Sequence, residues 1–178
     1  MEARDLAQRR RPVKRRLLLL VLLAACAATP GTASAVGEGE WEVAAAGGWG
    51  LLGGGGQQRS GWAARLEGQR GLSDAWALHA EVGGGGQGGA RALALAAGVT
   101  YALDVLRVVP FGEVGLAALD LEGAGRLGLQ LGAGGEYLLD RHWAVAGMAR
   151  YGYFPLRLGG EGGSAGLLTV LLRIGRVF

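Results

Sequence analysis

From Trp41 onward, large apolar residues alternate with small or charged ones at a period of two, the spacing that puts successive side chains on opposite faces of a β-strand. Trp41, Val43, Ala45, Gly47, Trp49 and Leu51 are interleaved with Glu42, Ala44, Ala46, Gly48 and Gly50. Trp62, Ala64 and Leu66 alternate with Ala63, Arg65 and Glu67, and Trp76, Leu78, Ala80 and Val82 alternate with Ala77, His79 and Glu81. Leu93, Leu95, Ala97, Val99 and Tyr101 oppose small residues and Thr100, while Val114, Leu116 and Ala118 follow Glu113. Leu127, Leu129, Leu131, Ala133 and Tyr137 face away from Gln130 and Glu136. Trp143, Val145, Ala149 and Tyr151 oppose Arg150, and Leu168, Val170, Leu172 and Ile174 oppose Thr169 and Arg173. The pattern predicts eight strands, with a bulge near Pro110 in the fifth.

The connections fall into two kinds. After the odd strands come the long, mostly Gly-rich stretches 53–60, 83–89, 122–125 and 155–164. After the even strands come short turns at 72–74, 104–107 and 140–142. Such alternation is expected of an even-stranded up-and-down barrel, with loops on one rim and tight turns on the other. Ser73-Asp74-Ala75-Trp76 and Asp140-Arg141-His142-Trp143 read as a hairpin-level repeat. Eight strands of about ten residues leave enough chain for seven connections.

Alternation of this kind also suits a soluble barrel, and the distribution of charge decides between the two. Glu42, Arg65, Glu67, His79, Glu81, Glu113, Glu136, Arg150 and Arg173 all fall on the face opposite the large apolar residues. The rest of that face reads as Gly and Ala, too small to fill a soluble core at protein density. A narrow eight-stranded lumen accommodates small residues and paired charges, which leaves the apolar face for lipid. Trp41, Trp62, Trp76, Trp143, Tyr101, Tyr137, Tyr151 and Tyr153 fall near predicted strand ends, where aromatic rings form girdles at the membrane interfaces.

The first 35 residues have a different character. Arg9, Arg10, Arg11, Lys14, Arg15 and Arg16 precede an apolar run, Leu17–Ala28, and a small-residue Ala33-Ser34-Ala35 site. That is the layout of a Sec-type signal peptide, and the run is shorter than the about 20 residues a spanning helix needs. The expected domains are thus a signal peptide, 1–35, and a barrel, 36–178. Leu23-Ala24-Ala25-Cys26 resembles a lipobox, and lipidation at Cys26 would instead anchor a periplasmic barrel. Seven of the 18 basic and two of the 15 acidic residues belong to the signal. Residues 36–178 therefore keep 11 Arg, no Lys and 13 Asp+Glu, a net charge of −2. The basic character of the whole chain is that of an export signal, and no nucleic-acid partner is expected. Without Cys26 the mature part has no cysteine, hence no disulfide, thiolate–metal site or cysteine nucleophile.

The chain ends on Phe178, directly after a strand carrying Val170, Leu172 and Ile174. These residues resemble the C-terminal strand of the small eight-stranded outer-membrane barrels of the OmpA/OmpX type. Arg176 departs from that pattern. The resemblance implies an all-β, eight-stranded antiparallel transmembrane barrel in outer-membrane lipid, with the last strand read by the barrel assembly machinery. A monomer is expected.

Candidate chemistry is sparse. His79 and Glu81 share a face, and some small outer-membrane barrels modify lipid A. Ser60, Ser73 and Ser164, however, all fall in predicted loops or turns, so a Ser–His–carboxylate triad is not expected. Gly83–Gly89 has no βαβ context or following Lys-Ser/Thr for nucleotide binding. Two histidines among scattered carboxylates do not form a metal site. No catalytic, cofactor-binding or metal-ligating residue is therefore assigned. The expected function is structural, surface-exposed or interaction-type, with the Gly-rich loops as binding surfaces. A narrow solute channel and a lipid-A-modifying enzyme are the alternatives.

Overall fold

The computed structural model describes residues 36–54, 56–103, 108–158 and 163–178. The expected signal peptide, Cys26, the expected turn 104–107 and parts of the expected connections 53–60 and 155–164 lie outside them. Eight strands form in chain order: β1 (Trp41–Gly54), β2 (Gln57–Gly71), β3 (Trp76–Gln87), β4 (Ala90–Ala102), β5 (Val108–Leu121), β6 (Ala124–Leu138), β7 (Trp143–Arg157) and β8 (Ala165–Val177). Each pairs antiparallel with its sequence neighbours, and β8 returns to β1, from Glu42↔Val177 to Gly54↔Ala165, closing the barrel. Closure leaves no free sheet edge, which is what permits strands to cross a bilayer. Phe178 completes the seam, donating its N–H to the Trp41 carbonyl (2.8 Å) and accepting from the Trp41 N–H (3.3 Å).

The strands run 12 to 15 residues, longer than the about ten that the bilayer requires. The excess comes from the Gly-rich stretches, which are not the long loops expected from the sequence. Gly83–Gly86 lie within β3, and Gly88 and Gly89 alone turn the chain into β4. Both have positive φ, 58° and 89°, as do Glu122 (53°) and Gly123 (87°) between β5 and β6. Two consecutive left-handed residues form the type I′ turn that suits the twist of a hairpin. Only the β7–β8 connection, residues 158–164, is long.

The expected bulge is also displaced. Pro110 pairs with Gly135 in unbroken register, whereas the β6–β7 ladder shifts between Leu127↔Leu156 and Leu129↔Tyr153. The extra residue there falls in the Phe154-Pro155 pair opposite Gly128. Pro155 has no N–H for a ladder bond, so a bulge is where it fits.

The two turns read as a repeat do share one hydrogen-bond pattern. Leu72 and Leu139 donate their N–H groups to the carbonyls of Trp76 and Trp143 (2.8 and 2.9 Å). Ser73 Oγ accepts from the Trp76 N–H (3.2 Å), as Asp140 Oδ1 does from Trp143 (2.9 Å) and His142 (2.7 Å). These backbone donors, His142 first, hold the Asp140 carboxyl below the ordinary carboxylate range.

The outside of the barrel is apolar. Leu66, Leu95, Val114, Leu116, Leu129, Leu131, Leu172 and Ile174 are all exposed, and Leu172 is 75% so. A continuous belt of this kind far exceeds the apolar patches that water-soluble proteins tolerate, and it fits lipid. At the end bearing the termini, Trp41, Trp76, Tyr101, Tyr137 and Trp143 form a girdle, with Trp76 packed on Tyr101 at 4.8 Å between ring centroids. Toward the other rim the cross-strand pair Trp49↔Trp62 and Tyr151 and Tyr153 are exposed. Arg176, the departure from the family pattern, lies over the Trp143 ring at 5.7 Å and the Phe178 ring at 5.0 Å. Arginine over an aromatic face at a membrane interface is favourable.

Candidate functional site

Strand alternation turns the second face of every strand into the lumen, and all nine charged or histidine residues expected there are buried in it. Three guanidiniums organise the interior. Arg150 on β7 bonds Glu113 on β5 through two nitrogens, and its Nη1 reaches Glu67 (2.5 Å) and Glu81. Arg173 on β8 bonds Glu67 (Nε, 3.0 Å), Glu136 (Nη1, 2.5 Å) and Glu42 (Nη2, 2.5 Å). Arg65 on β2 pairs with Glu81 across the β2–β3 ladder and reaches the Thr169 hydroxyl (3.4 Å). Gln130 Nε2 donates to Glu81 Oε1 (3.1 Å). Seven strands thus converge on one ion-paired cluster, and β4 joins the polar interior through Thr100, whose hydroxyl meets His79 Nδ1 (3.0 Å).

Both members of the His79/Glu81 pair are absorbed into this network. His79 is bonded to a threonine, and its Nε2 is buried without a partner among the described residues. Ser73 occupies a turn, Ser164 precedes β8, and Ser60 is near the start of β2. The arrangement supplies fixed, paired charge, with five glutamates set against three arginines.

The lumen is not otherwise Gly and Ala, as the alternation suggested. Toward the loop-bearing rim, Leu52, Leu119, Phe154 and Leu167 pack with Ala94, Ala96, Ala117 and Ala165 into a buried apolar layer. Lower down, Phe111, Met148 and Leu171 pack with Ala46 and Ala63. Consecutive apolar residues announce some of these: Leu167-Leu168 and Leu171-Leu172 put leucine on both faces of β8. Others, such as Leu119, are marked only by sharing parity with Glu113 and Ala117.

What free space remains is divided. One cavity of about 30 Å³ opens at the terminal end, lined by Val36, Glu42, Gln69, Thr100, Glu136 and Arg173 among others. A second, of about 10 Å³, lies near Arg65, Gly83 and Thr169. At the opposite mouth a hollow of about 160 Å³ has Leu52 and Leu121 in its lining beside Gln57, Arg59 and Arg126. The ion-paired cluster and the apolar layer stand between the two mouths. The first two cavities have room for about one water each.

No known family model matches the chain, and no curated protein is significantly similar to it. Solved structures do share its fold. Neisserial surface protein A superposes with a TM-score of 0.63 at 17% identity, covering 77% of this chain and 99% of the other. For OprG, an outer-membrane protein of Pseudomonas aeruginosa, the values are 0.56, 12%, 82% and 99%. For Ail, the attachment invasion locus protein of Yersinia pestis, solved with the heparin analogue sucrose octasulfate, they are 0.55, 13%, 79% and 99%. At these identities the likeness establishes the fold: a small eight-stranded transmembrane β-barrel of the outer-membrane type.

Proposed function

We propose that the protein is an exported outer-membrane barrel, monomeric and non-catalytic, that works through its outer surface and loop-bearing rim. The observation that carries this reading is the filled lumen: an ion-paired cluster overlaid by Leu52, Leu119, Phe154 and Leu167. An interior so filled serves stability, and the exposed surface is what remains for interaction. Among the described residues of the loop-bearing rim, Arg59, Arg91, Arg126 and Arg157 outnumber Asp120 and Glu122, an excess suited to anionic surface groups. The surface and attachment proteins among the fold neighbours are compatible with such a role. Residues 1–35 are the export signal, and β8 with Phe178 is the segment the assembly machinery engages.

The test is fractionation of producing cells, followed by gel migration with and without heating. Recovery in the outer membrane with a heat-dependent shift is expected, and a soluble periplasmic protein without the shift overturns the reading. Purified barrel in a planar bilayer should give no single-channel steps. Reproducible current would favour a narrow channel, and an altered lipid A in producing cells would favour an enzyme.

A further inference from the structure

The segment preceding β1 lies against the terminal mouth of the lumen. Gly39 N–H donates to the Gly71 carbonyl (3.0 Å), Gly71 N–H to the Glu40 carbonyl (3.0 Å), and Glu40 N–H to the Gly37 carbonyl (3.1 Å). The approach is so close that a Cβ on Gly71 would strike the Gly37 carbonyl. These bonds fix Val36 against the mouth, where it is 7% exposed and lines the 30 Å³ cavity with Glu42 and Glu136.

That cavity is short of positive charge and of donors. Five buried glutamates share three buried arginines. Arg173 gives each of its three nitrogens to a different carboxylate, so it engages only one oxygen of Glu42 and one of Glu136. The other oxygen of each, Oε1, is buried with no partner among the described residues. Glu42 and Glu136 are 1% and 3% exposed, so bulk water does not supply the donors that buried carboxylates require.

We infer that the α-ammonium of Val36, created when the chain is cut after Ala35, is the group that completes this site, an inference that rests on reading residues 1–35 as a removed export signal. An ammonium is about the size of a water molecule, which is what about 30 Å³ holds. Its three donors and its charge match two carboxylates with a free oxygen each. In the uncut precursor the same nitrogen is a neutral amide with one N–H. Processing therefore does more than release the barrel from its signal: it supplies the interior with a fourth cation.

The test uses a property of the sequence. Residues 36–178 contain no lysine, so an amine-acylating reagent modifies the mature chain only at its N-terminus. Mature barrel isolated from outer membranes is identified by intact mass and acylated with a water-soluble succinimidyl ester, folded in detergent and unfolded in urea. At about pH 7.5, just under the ordinary α-amino range, the folded protein should react about tenfold more slowly or less. The double variant Glu42→Gln, Glu136→Gln should regain several-fold reactivity while keeping its heat-dependent gel shift. Inserting Gly-Ser between Ala35 and Val36 carries the amine clear of the cavity and should restore the unfolded rate. If the Gln variant does not fold, the insertion decides alone. Folded wild type reacting at the unfolded rate, or an insertion variant that stays protected, overturns the inference and leaves the processing site standing. A mature mass that does not begin at Val36 overturns both.

Discussion

Arg150 shows how a single residue holds this interior together. Its guanidinium contacts three carboxylates contributed by β2, β3 and β5; Glu67 and Glu81 also meet Arg173 and Arg65, so Glu113 is the charge its loss strands. Arg150→Met should therefore cost about 3–5 kcal/mol, the usual result of stranding a buried charge, read as a lower urea midpoint for loss of the heat-dependent shift. Asp140 behaves differently because it is fully exposed in a turn. Its carboxyl is lowered by backbone donors, so its contribution is present above the ordinary carboxylate pKa and is lost as pH falls through the lowered value. Asp140→Asn should remove that dependence, lowering stability slightly at the upper end of pH 2–6 (roughly the carboxylate range) and leaving it unchanged at the acid end, which unfolding midpoints across that range would show. The charged lumen residues were readable in the sequence because period-two alternation forces one face for Glu81 and another for Val82. Phe154 was readable in the same way, since it shares the parity of Met148 and Arg150 and only the bulge after it, at Pro155, breaks the alternation.

At the scale of elements, the alternation located all eight strands but underestimated their length. Glycine is read as loop because it lacks a packing side chain, yet Gly83–Gly86 extend a ladder fixed by Ala63, Ala64 and Arg65 on one side and Arg91–Ala94 on the other. Pairing partners decided the conformation, and intrinsic preference did not. The β5–β6 turn carries a residual misfit, because Glu122 adopts a left-handed backbone that disfavours a Cβ. Glu122→Asn would create the Asn-Gly pair favoured in type I′ turns and should raise stability by about 1 kcal/mol, measured by urea unfolding. On the lipid side, Leu131 is at the middle of β6. Leu131→Arg should cost about 2–4 kcal/mol, whereas Arg176 is tolerated because it reaches the interface between Trp143 and Phe178. A barrel that folded equally well with arginine at position 131 would not be facing hydrocarbon there.

For the whole molecule, the sequence indicated a transmembrane barrel because charge and bulk segregate to opposite faces. It left the lumen's contents open because the apolar layer is assembled from residues far apart in the chain: Leu52, Leu119, Phe154 and Leu167. Trimming that layer with Leu119→Ala and Phe154→Ala should cost several kcal/mol in stability, about 3–5 for each large side chain, and still give no current while the ion-paired cluster stands beneath it. The order in which the cluster's charges enter the chain carries a consequence for biogenesis. Four of the five carboxylates, Glu42, Glu67, Glu81 and Glu113, arrive on β1–β5 with Arg65 as their only guanidinium, and Arg150 and Arg173 arrive on β7 and β8. A half-assembled sheet is thus electrically unbalanced, and the strands that balance it are the same ones that close the cylinder. Closure and neutralisation coincide, so a truncated or mis-registered chain retains uncompensated negative charge on its concave face: a built-in mark by which an unfinished product differs from a finished one.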